Sequence, residues 1–68
     1  MRITKKHGDC SDGTCPALYD TDDPALIAVQ GTMLTDPQAL ADIGQVPGHE
    51  GVVLLPRSLF ERYAREHL

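Results

Sequence analysis

The chain has 68 residues, of which 10 are acidic and 6 basic, for a formal net charge of −4. A chain this short makes one domain that buries roughly 60% of the surface its unfolded form exposes, a marginal core unless a metal, a disulfide or a partner helps. No Lys or Arg occurs between Lys6 and Arg57, a span that carries Asp9, Asp12, Asp20, Asp22, Asp23, Asp36, Asp42 and Glu50; such a middle repels phosphate and argues against direct contact with nucleic acid.

In chain order, Met1 to Lys6 reads as a short edge strand or a frayed end, so residues 1–9 are expected to be the loosest part. Arg2, Lys5 and Lys6 are not followed by an apolar stretch, so no signal peptide is expected. No run approaches the roughly 18 apolar residues that span a bilayer. Residues 7–16 are dense in turn formers. Asp12-Gly13 suits a two-residue hairpin turn, which would place Cys10 opposite Cys15. Ala17 to Asp20 reads as a strand and Thr21 to Pro24 as a turn. Ala25 to Gly31 reads as the clearest strand, with Tyr19 near Leu26 across an antiparallel hairpin. Gly31 marks a bulge, and Thr32 to Leu34 continue beyond it.

Thr35-Asp36-Pro37-Gln38 opens a short helix. Either Asp36 caps it with Pro37 at the first helical position, or Thr35 and Gln38 form a capping box. Gly44 stops it. After a Pro/Gly loop, Val52 to Leu55 form the longest apolar run, a buried strand bounded by Gly51 and Pro56. Pro56 suits the first turn of a C-terminal amphipathic helix, with Leu59, Phe60, Tyr63, Ala64 and His67 on one arc. Charged residues fill the other arc, spaced to pair as Arg57–Glu61, Glu61–Arg65 and Arg62–Glu66. The expected fold is a single α+β domain over residues 1–68, of order β-β-α-β-α: a small three-stranded, mainly antiparallel sheet with helices on one face.

For chemistry, the best candidate is His7-x2-Cys10-x4-Cys15, with His49 or His67 as a fourth ligand. Zinc favours thiolate and imidazole at such spacings. Opposed cysteines could equally form a disulfide or remain free thiols, and the sequence leaves the three states open. Two cysteines without an export signal suit a reducing, cytoplasmic setting. A cysteine nucleophile would need a base and a pocket, for which so small a domain has little room, so no enzyme and no cofactor other than zinc is expected. His49-Glu50 reads as a loop tip without a second His four residues on. Arg57, Arg62 and Arg65 are nearly cancelled by Glu61 and Glu66, which makes a solvated face rather than a recognition helix. Asp20, Asp22 and Asp23 either solvate a turn or form an acidic docking face for a basic protein. A homodimer burying spare apolar surface of the last helix is a further expectation.

The segments Cys15-Pro16-Ala17-Leu18-Tyr19, Ala28-Val29-Gln30-Gly31, Asp36-Pro37-Gln38-Ala39-Leu40 and Val52 to Pro56 resemble a group of small actinobacterial proteins of undefined function. The resemblance covers roughly residues 10 to 66. Many members are encoded beside Xre-type helix-turn-helix regulators. The resemblance therefore implies a regulatory interaction protein, an accessory or antagonist partner of such a regulator, and carries over no catalytic residue. An acidic middle would complement the basic DNA-reading face of that partner.

Overall fold

The computed structural model describes residues 1–8 and 15–67. Strands β1 (Ile3–His7), β2 (Ala17–Thr21) and β3 (Ile27–Gln30) form an antiparallel sheet in the order β1-β2-β3. A second antiparallel pair joins β4 (Thr32–Met33) to β5 (Val53–Leu54). Helix α1 (Pro37–Ile43) lies between them in sequence, and α2 (Arg57–His67) follows. The α+β class, the three-stranded sheet, the short helix and the C-terminal helix agree with the sequence reading.

The membership of the sheet differs from the simplest reading. The N-terminal segment supplies its third strand, so both edges of β2 are taken by its neighbours in sequence. The apolar run at 52–55 is left to pair with β4, and Leu54 is exposed rather than buried. Leu26 belongs to the turn: its N–H donates to the Asp23 carbonyl (3.1 Å), and the Thr21 hydroxyl reaches its carbonyl (2.9 Å). Tyr19 therefore opposes Ala28 instead of Leu26. The proposed Asp12-Gly13 hairpin turn lies outside the described residues.

Gly31, between β3 and β4, is needed for closeness. A side-chain carbon there would press on the carbonyl oxygen of Leu54, so β5 can approach only a glycine. Helix α1 follows the cap reading: Asp36 Oδ1 accepts from the Gln38 N–H at 2.9 Å, with Pro37 first in the helix. Gly44 ends it with a φ of 96°, its N–H donating to the Leu40 carbonyl. Pro56 stands one place earlier than expected, before α2, where its carbonyl accepts from Leu59 (3.1 Å) and Phe60 (3.5 Å).

Helix α2 packs on β2, and among the described residues the buried apolar set is Ala17, Leu18 and Leu59. Of the arc expected to face the sheet, Leu59 is buried, Tyr63 and Ala64 are half-buried, and Phe60 and His67 are exposed. A narrow three-stranded sheet cannot cover a whole helix face. Leu40 and Ile43 on α1 are likewise exposed, as are Ile27 and Val29 on β3. Among the described residues no helix is long and apolar enough to cross a membrane.

Candidate functional site

The register of β1 on β2 sets Lys5 opposite Asp20 and His7 opposite Leu18. Opposed residues share a face, and alternate residues along a strand return to it, so Lys5, His7, Leu18 and Asp20 lie on one side of the sheet. Helix α2 adds Leu59, Tyr63 and His67 from above, four residues apart and so stacked along one stripe.

The result is a compact polar cluster. His7 Nε2 lies 3.0 Å from Asp20 Oδ2, and the Tyr63 hydroxyl donates to Asp20 Oδ1 at 3.0 Å. The His7 ring meets Tyr63 and His67 edge-on, with centroids 4.9 Å and 5.0 Å away, while Tyr63 and His67 stack at 4.0 Å. His67 Nδ1 sits 2.8 Å from the Tyr63 carbonyl. The His7 side chain is only 10% exposed, against 31% for Asp20. The His7 hydrogen bond is the main reason the Asp20 carboxyl is held below its ordinary range. Partial desolvation works against it, and the Tyr63 hydroxyl and the two imidazoles support it. Tyr63 is shifted upward, first by partial desolvation and then by the carboxylate it donates to.

Beside the cluster lies a cleft of about 290 Å³ lined by Lys5, Lys6, His7, Arg62, Tyr63 and Glu66, with Leu59 and Gly8 below. Three of the six bases, Lys5 and Lys6 from one end of the sequence and Arg62 from the other, thus meet on one cleft, with Glu66 as the acidic offset.

Of the residues singled out from sequence, the fold brings together His7 and His67, and it adds Asp20 and Tyr63 to them. Asp20 had been read as an acidic docking residue and Tyr63 as core. Cys15 is disulfide-bonded, a state in which it offers no thiolate to zinc, and Cys10 lies outside the described residues. His49 is exposed in the 47–50 turn, 3.7 Å from Glu50, as a loop-tip reading requires. Asp23 Oδ1 accepts from the Ala25 N–H at 2.9 Å, so this carboxylate holds its own turn and Asp22 is the exposed member of the pair. Once β1 is paired with β2, the site could be found from the sequence: His7 and Asp20 then share a face, and Tyr63 and His67 are one helical turn apart.

Comparison with protein-family models, with curated proteins and with solved structures finds no match to this chain.

Proposed function

We propose that the protein is a non-enzymatic interaction module of the cytoplasm, an accessory or antagonist partner of a helix-turn-helix transcriptional regulator. The observation that carries this reading is uncovered surface. A folded monomer of 7.4 kDa is expected to expose about 4,200 Å². This chain exposes 5374 Å², an excess of roughly 1,200 Å², which exceeds the ~800 Å² that each partner contributes to a standard interface. Large apolar side chains are among what is uncovered: Ile27, Val29, Met33, Ile43, Leu54 and Phe60 are all at least 43% exposed. Ile27 and Val29 share one face of β3, an edge strand, and edge strands readily take on a partner. Asp22 supplies an acidic contact for the basic surface of a DNA-binding protein. A reducing setting would open the Cys15 disulfide, and Cys15 is not among the surface residues named here.

The test is recovery from the native host. Tagged protein should retain one helix-turn-helix regulator in stoichiometric amount, and Ile27→Lys with Val29→Lys should abolish recovery while circular dichroism stays unchanged. Asp22→Lys should weaken binding to the purified regulator more at low salt than at high salt. Recovery of no regulator would sink the reading. A dimer mass in sedimentation, with no other protein retained, would make a second copy the occupant instead.

A further inference from the structure

We propose that His7, Asp20 and His67 form a binding site for one divalent transition-metal ion of the zinc class, independent of the interaction surface above. One ligand atom from each residue lies within 4.8 Å of the other two. Tetrahedral zinc, with bonds of about 2.0–2.1 Å to nitrogen and oxygen, holds its ligands roughly 3.3 Å apart. His7 Nε2 and Asp20 Oδ2, at 3.0 Å, already stand near that spacing. His67 is exposed on the last turn of α2, where a change of side-chain rotamer can bring it to the other two ligands.

The surrounding groups orient these ligands as a metal site requires. The Tyr63 carbonyl can only accept, so the 2.8 Å contact fixes the proton on His67 Nδ1 and leaves the Nε2 lone pair for a metal. The Tyr63 hydroxyl engages Asp20 Oδ1 and leaves Oδ2 directed at the His7 ring. An ionised carboxylate also only accepts, so the proton between His7 and Asp20 sits on His7 Nε2. The ion takes the place of that proton, which passes through solvent to His7 Nδ1, so the ring binds as a neutral imidazole. Three protein ligands leave a fourth position for water or an anion. Lys5, Lys6 and Arg62 on the adjoining cleft oppose a bare dication and favour an anion in that position. The donors are two imidazoles and a carboxylate, a set suited to zinc and cobalt(II) rather than to calcium or magnesium.

Untagged, oxidised full-length protein is to be titrated with zinc chloride by calorimetry and with cobalt(II) by absorption spectroscopy. The expected result is one ion per chain, with the weak visible bands of nitrogen- and oxygen-ligated cobalt and no thiolate charge-transfer band. His67→Gln, at an exposed position that leaves the fold intact, should lower affinity at least about tenfold, and Tyr63→Phe about tenfold. His49→Gln should change nothing. The proposal fails if no ion binds, or if binding survives both His67→Gln and Asp20→Asn. It fails equally if binding appears only after reduction and brings a thiolate band, which would assign the metal to Cys10 and Cys15.

Discussion

Asp20 accepts from both His7 and Tyr63, and the sign of its pKa shift makes its role measurable. Its folded-state value lies below the ordinary 3.8, so the stability it contributes is complete above that value and is lost as pH falls through the lower folded one. Tyr63 is shifted the other way. Its contribution is complete below the ordinary 10.0 and is lost as pH rises through the higher folded value. Denaturant midpoints followed across pH should therefore fall on an acid limb that flattens in Asp20→Asn, and on an alkaline limb that flattens in Tyr63→Phe. An acid limb of unchanged steepness in Asp20→Asn would show that the His7–Asp20–Tyr63 bonds do not form in solution.

At the level of elements, the contrast between Gly31 and Gly48 isolates how β5 is held. A methyl group at Gly31 meets the Leu54 carbonyl, whereas one at Gly48 meets nothing within 4 Å. Gly31→Ala should cost about 1–3 kcal/mol in urea unfolding, and Gly48→Ala should stay within about 0.5 kcal/mol of the parent. Equal effects would mean that β5 does not lie against Gly31. The same elements mark the boundary of what the sequence discloses. Helix α1 was readable end to end, because Asp36, Pro37 and Gly44 act through bonds within a few residues of themselves. The pairing of 53–54 with 32–33 rests instead on competition for the edges of β2, which no local pattern records. The cluster divides in the same way. His7 and His67 attracted notice as residue types, but Asp20 reaches His7 across 13 positions and Tyr63 across 43, separations that no spacing motif spans. The arc of α2 was correctly drawn, yet only its Leu59 edge is buried, because β2 and its neighbours are too narrow to cover Phe60 as well.

The whole molecule is held by very little, and this makes any ligand visible in its stability. A compact domain of 68 residues has an expected radius of gyration of about 11 Å, and this chain has 13.4 Å. At roughly 0.05–0.15 kcal/mol per residue its total stability is about 3–10 kcal/mol. Leu18 is 1% exposed and the largest fully buried side chain among the described residues. Leu18→Ala should cost about 2–5 kcal/mol, enough to leave a large fraction of the chain unfolded at neutral pH. An ion that binds only the folded form adds about 2.7 kcal/mol at one hundred times its dissociation constant. If His7, Asp20 and His67 take zinc, the metal should restore the circular-dichroism spectrum of Leu18→Ala and raise its thermal midpoint. The same addition should do nothing for Leu18→Ala combined with His67→Gln. Leu18 lies opposite His7 but supplies no ligand atom; rescue of the first variant and failure of the second would tie metal and fold together at this one cluster, and equal rescue of both would place the ion elsewhere.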